Sequence, residues 1–155
     1  MGLCDQGLNN KGLEQARCAA DDLLAYDFAT IYTSPLSRAT QTANIIKSSQ
    51  RHSCKLVVVE DLRERDFGEL EGKTKTQEDR KRLDSIKTVE SMQEFMQRLS
   101  RVLKLIESSS GNSLIVSHSA VYRLMVLNEL VSPIGNIICL ANAQWVRLQS
   151  QSPVF

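Results

Sequence analysis

Three short runs of branched and apolar residues, Ile31-Tyr32, Leu56 to Val59 and Leu114-Ile115-Val116, alternate along this chain with stretches of helical periodicity. That alternation restricts the fold more than any other feature. An apolar strand run has both faces to bury, and helices on either side of a mostly parallel sheet bury them. The sequence therefore predicts an α/β fold, layered α/β/α, with a mostly parallel central sheet flanked by helices. Leu13, Ala16, Ala20, Leu23 and Leu24 predict a helix from Leu13 to Tyr26, with Gly12 at its opening. A second runs from Leu36 to about Lys47, and a third from Met92 to Ile106, with Phe95, Leu99, Val102, Leu103 and Ile106 on one face. Ser91 is its expected N-cap, with Glu94 completing a capping box. Val121 to Leu130 reads as a fourth helix. Asn136 to Leu140 and Ala143 to Leu148 read as the last two strands, a hairpin through Ala141-Asn142, and Gln149 to Phe155 as a loose tail. The polar stretch Lys73 to Thr88 is either a surface helix or a mobile excursion. No repeat or boundary interrupts the 155 residues, so one domain over 1–155 is expected.

Bulk charge narrows the partners. The net charge of +1 suggests no nucleic-acid or membrane partner, and no apolar stretch is long enough to span a bilayer. Cys4, Cys18, Cys54 and Cys139 are widely scattered, without zinc-ligand spacing, so no metal is expected. They read as reduced, partly buried thiols, which points to a cytoplasmic protein.

Functional groups of such sheets gather beyond the carboxyl ends of the strands. Three segments fall there: Ser34 to Arg38, Leu62 to Gly72, and Ser117 to Ser119. In Ser34-Pro35-Leu36-Ser37-Arg38-Ala39-Thr40-Gln41-Thr42-Ala43 a strand runs into Ser-Pro and a helix starts within a few residues. Arg38, in the first turn, can reach back over the strand end, where amides, helix dipole and guanidinium suit a phosphate. His118 follows a strand and precedes a helix. It can face a ligand there as a proton or phosphate partner, or simply cap or pack the strand end. Glu64 lies in a segment of four carboxylates and two glycines. It suits a general acid if its pKa is raised, or one of several solvated acids balanced by Arg63 and Arg65.

Taken together, these segments resemble the histidine phosphatase (phosphoglycerate mutase-like) superfamily, with a look nearest its alpha-ribazole phosphatase-like members. The Arg38 run resembles the family's Ser-Pro-Leu-x-Arg-Ala-x-Gln-Thr-Ala. Leu62 to Gly72 resembles Leu-x-Glu-x-x-x-Gly-x-x-Glu-Gly, and Val116-Ser117-His118 follows in the family's order. Leu8 to Ala16 resembles its first helix entry, and Glu90-Ser91 its Gly-Glu-Ser helix start with Val89 in place of glycine. Ser119 replaces the usual glycine after the histidine. The resemblance implies a phosphomonoesterase acting on a small phosphorylated metabolite through phosphohistidine, in a cationic cage that needs no metal or other cofactor. It implies that Arg38 binds phosphate, that Glu64 is the catalytic proton donor, and that His118 is the second, non-nucleophilic histidine of the cage, at once phosphate-binding and catalytic.

The family's first strand and its Arg-His-Gly nucleophile loop find no counterpart in Met1 to Asp5. Met1-Gly2-Leu3-Cys4-Asp5 resembles the stretch that follows that loop, so the expectation is an N-terminally truncated domain with the first strand missing. Arg51-His52-Ser53 precedes a strand instead of ending one, so His52 is expected to be a solvated loop residue. An impaired phosphatase, or a non-catalytic phospholigand-binding module, follows. A mutase is disfavoured by the short stretch after Gly72. The strand removed would lie beside the strand that ends at His118, and the chain is expected to fill that gap by closing the sheet differently or by pairing with a second chain, as a homo-oligomer or by strand exchange, with marginal stability the outcome otherwise.

Overall fold

The computed structural model describes residues 2–73, 83–134 and 140–150. Helix α1 covers Asn10–Asp22 and strand β1 Thr30–Thr33. Helix α2 covers Ser37–Ser49 and β2 Lys55–Val58. Helix α3 covers Met92–Glu107, β3 Ser113–Val116 and α4 Ser119–Leu127. The short strands β4, Val131–Pro133, and β5, Leu148–Ser150, come last.

The sheet has the order β2-β1-β3 and is parallel throughout. Thr33 stands in register with Val58 on one side and Val116 on the other, so all three strands end level. Side chains of β1 alternate between two cores, as strand geometry requires. Ile31 packs with Ala20, Leu23, Ala43 and Ile46 beneath α1 and α2. Tyr32 packs with Leu62, Phe95, Leu99, Val102, Val121 and Leu124 beneath α3 and α4. This is the expected α/β/α layering.

The individual elements depart from expectation in instructive ways. Helix α1 starts earlier, because the Asn9 side chain accepts from Gly12 N–H and serves as N-cap. The capping box of Ser91 and Glu94 on α3 is present. Helix α4 stops at Leu127 instead of Leu130, where Glu129 takes a left-handed conformation (φ 54°) and ends it. Only β1 is buried along its whole length. The apolar runs of β2 and β3 read as buried strands, but β2 is an edge strand with Val58 55% exposed, and β3 is half-buried throughout. Among the described residues no strand pairs with the outer edge of β3.

The C-terminal expectation is also corrected. A turn does form from Ala141 to Gln144, but no strand occupies 143–147. β5 instead takes in Gln149, assigned to the tail, and pairs antiparallel with β4, a strand the sequence did not announce. Distant pairing, which local periodicity does not encode, decides that sheet. Residues 136–139 of the expected hairpin and most of the polar stretch, 74–82, lie outside the described residues.

Candidate functional site

The site gathers where the three strands end. Val59 N–H donates to Thr33 O (2.8 Å) and Ser34 N–H to Val116 O (3.0 Å), extending the ladder by one residue on each side. Pro35 then breaks the strand and α2 begins at Ser37. Leu36, at the N-cap position, has no capping side chain. The cap comes from far away in sequence. Asp5 Oδ1 accepts from Ser37 N–H (2.6 Å), and Asp5 Oδ2 accepts from the Ser37 hydroxyl (2.8 Å). Those two bonds hold the Asp5 carboxyl below its ordinary range. The first amide of α2, expected to face a phosphate, therefore faces Asp5.

Arg38 does reach back over the strand end, and it finds backbone there. Its Nη1 donates to Cys4 O (2.9 Å) and its Nη2 to Gly2 O (2.7 Å). A guanidinium has five N–H donors, so these two bonds leave donors for an anion.

Glu64 is placed by a buried arginine. Arg98 is 2% exposed although it lies in the apolar stripe of α3 with Phe95, Leu99 and Val102. Its Nη1 donates to Asp61 O (2.5 Å) and Arg63 O (2.8 Å), and its Nη2 to Glu64 O (3.2 Å). The loop 61–64 is thus wrapped around one guanidinium. Glu90 balances the charge with 2.6 and 2.9 Å contacts to Nε and Nη2. Arg65, also buried, donates to Glu90 O from Nε (3.0 Å) and Nη2 (2.8 Å). Gly68 fits against this assembly only as glycine: its φ is 50°, and a Cβ there would collide with the Thr88 carbonyl. The Glu64 carboxylate accepts from Arg65 N–H at 3.0 Å. Burial raises its pKa above the ordinary value, and this outweighs the opposing pull of that hydrogen bond and of the Arg38 and Arg98 charges.

His118 occupies the N-cap position of α4, but its ring does not cap the helix. Its Nε2 lies 2.7 Å from Ser34 Oγ, across the ends of β1 and β3. Next to it, the Ser117 hydroxyl donates to Leu62 O (2.7 Å), fixing the end of β3 to the loop that leads to Glu64. Burial, assisted by the charges of Arg38 and then Arg98, lowers the His118 pKa from 6.5 to about 3, so the ring is neutral at physiological pH.

Arg38, Glu64 and His118 therefore share one electrostatic neighbourhood, since the Arg38 charge acts on both other groups. His52 does not join them. It is exposed before β2, at the opposite end of the sheet, 3.9 Å from Asp27. Among the described residues no three His, Cys, Asp or Glu side chains converge as metal ligands. Two residues of the site were not assigned roles from sequence. Ser34 stands in the Arg38 motif, where nothing local marks its hydroxyl as a partner for a histidine. Arg98 had a signal, a cation in the buried stripe of an amphipathic helix, which marks a charge with interior partners.

Comparison with known proteins agrees with this fold. The profile of the histidine phosphatase superfamily (branch 1) matches residues 1–153. A Bacillus subtilis protein named uncharacterized phosphatase PhoE is 33% identical over 122 residues, which are 77% of this chain and 62% of that protein, so the chain spans about three fifths of that relative's length. The crystal structure of phosphoglycerate mutase from Thermus thermophilus superimposes with a TM-score of 0.68 at 26% identity, covering 92% of this chain and 78% of that one. Alpha-ribazole phosphatase from Shigella flexneri superimposes with a TM-score of 0.64 at 25% identity, covering 83% and 70%. With a family match that runs nearly the whole length and a parallel sheet flanked by helices, the chain belongs to the histidine phosphatase superfamily, branch 1.

Proposed function

We propose that this chain carries the phosphate-recognition part of a phosphomonoesterase site for small phosphorylated metabolites, and that on its own it binds phosphate without phosphohistidine turnover. The observation that supports this reading is the shared neighbourhood of Arg38, a neutral His118 and a Glu64 whose pKa is raised by burial. Arg38 is the phosphate clamp. His118 is a neutral donor to a phosphoryl oxygen. Glu64, kept protonated more readily than an exposed carboxylate, supplies a proton to the departing alkoxide. Covalent transfer needs a nucleophile as well. This chain has two histidines, and His52 stands at the other end of the sheet. Hydrolysis of an aryl phosphate tests the reading: no turnover is expected. Clear activity, abolished by His118→Ala and unaffected by His52→Ala, would overturn it.

The second reading is a module that binds a phosphorylated ligand and has no hydrolytic role in any setting. The Gly2 and Cys4 carbonyls on Arg38 favour it, because they tie the clamp down in a way a turnover site does not require. Both readings expect phosphate to raise the thermal midpoint and Arg38→Ala to abolish the effect. No protection at millimolar phosphate would sink both. They part on the raised acid: a ligand-binding module has no use for the Glu64 proton, and Glu64→Gln would leave phosphoester binding unchanged from pH 4 to 8, whereas an acid placed on the ester oxygen makes that binding depend on its protonation.

A further inference from the structure

We infer that Ser34 is a positioning residue that fixes the tautomer of His118, so that Nδ1–H is the ring donor offered to the pocket. The argument is a count of hydrogens. Ser34 is fully buried, at 0% exposure. Its hydroxyl has one hydrogen to give and can accept from others. It accepts from Leu36 N–H at 3.3 Å. Its own hydrogen then needs an acceptor, and among the described residues the partner within reach is His118 Nε2, at 2.7 Å. An Nε2–H on the ring would set two hydrogens against each other and leave the hydroxyl of a fully buried serine without its acceptor, a costly state for a buried donor.

The ring nitrogens answer each other. A neutral imidazole carries one N–H, and an Nε2 that accepts from Ser34 puts that hydrogen on Nδ1. Burial keeps the ring neutral, which makes the choice of nitrogen matter. A free histidine side chain prefers the opposite tautomer, so the preference has to be imposed. Ser34 does so from a rigid place. Its N–H is bound to Val116 O, two residues before His118, so hydroxyl and ring are carried by adjacent strand ends. This role rests on the phosphate-site reading only for the identity of what Nδ1–H meets.

The test uses the chain labelled with 15N-histidine and long-range 1H–15N correlation at neutral pH. The two histidines are distinguishable, because exposed His52 provides an internal reference. The expected wild-type pattern is a protonated Nδ1 and an unprotonated Nε2 for His118. Ser34→Ala should move His118 to the Nε2–H form, leave His52 unchanged and weaken binding of inorganic phosphate roughly fivefold, about the effect of one hydrogen bond. An Nε2–H pattern in the wild type overturns the inference, even if Ser34→Ala fails to fold. So does a tautomer that Ser34→Ala leaves unchanged. The expected tautomer with no response of Nδ1 to phosphate supports the role of Ser34 and counts against phosphate as the occupant.

Discussion

Arg98 and Glu90 form a two-point ion pair inside the protein, with Nε 2.6 Å from Oε1 and Nη2 2.9 Å from Oε2. The pair matters because the remaining donors of Arg98 hold the carbonyls of residues 61, 63 and 64. Arg98→Met would leave the buried Glu90 carboxylate with only the Asp66 N–H (3.3 Å) and the more distant Arg63 (3.8 Å), and would release three carbonyls. The expected loss is about 3–5 kcal/mol of folding free energy, measured by urea unfolding. Arg98→Lys should recover little of it, because an ammonium cannot replace the planar fork. Recovery to wild-type stability with lysine would show that charge alone is sufficient there.

Asp5 and α2 give a prediction with two opposite signs. Asp5→Ala removes the side-chain cap on Ser37. Stability should fall, as it does when the side-chain cap of a helix is lost. The same change removes a negative charge beside Arg38 and frees the first amide of α2, so phosphate should bind more tightly. Calorimetric titration with inorganic phosphate reads the second effect. Weaker binding would mean that Asp5 helps hold Arg38 in place instead of competing for it.

Acid should destabilise the protein through His118. The unfolded chain takes up the imidazole proton near pH 6.5, the native protein only near pH 3. Between those values the unfolded state holds the extra proton. Stability is thus full above 6.5 and falls as pH falls, by at most about 1.4 kcal/mol per pH unit from this group. Glu64 works the other way: its native pKa is raised, so its contribution is present at low pH and is lost as pH rises from 4.5 through the native value. His118→Asn should flatten the acid limb of the stability profile, and Glu64→Gln should steepen it. A wild-type profile that is flat from pH 7 to 4, unchanged in both variants, would exclude both shifts.

Gly68→Ala tests whether the loop around Glu64 is held from outside the site. The φ of 50° and the Thr88 carbonyl leave no room for a methyl group. A loss of about 1–3 kcal/mol is expected from strain and displaced backbone. Hydrogen exchange should quicken at Leu70 and Glu71, whose amides bond within the turn that Gly68 opens. Retained protection there would show that the turn adjusts without cost.

Much of the scaffold was legible in the chain because it is local. The apolar stripe and capping box of α3 are written within a few residues of one another, and so is the strand-turn-helix that carries Arg38. What escaped was set by distant partners. The cap of α2 is Asp5, more than thirty positions away. The partner of His118 Nε2 is Ser34, just past the end of another strand. The β4–β5 pairing joins Val131 to Ser150 across a stretch with no periodicity to announce it. The depth of β2 and β3 was overestimated because an apolar run reports composition, whereas burial depends on how many neighbours the sheet supplies.

The one-sided support of β3 bears on how the site is held. Among the described residues this strand is bonded to β1 alone, yet it delivers His118. Ser117 bonds its end to Leu62 and Ser34 holds the ring that follows, so the tip is tethered on both sides. The place of the imidazole is therefore set as much by two side-chain bonds at the strand tip as by the sheet behind it.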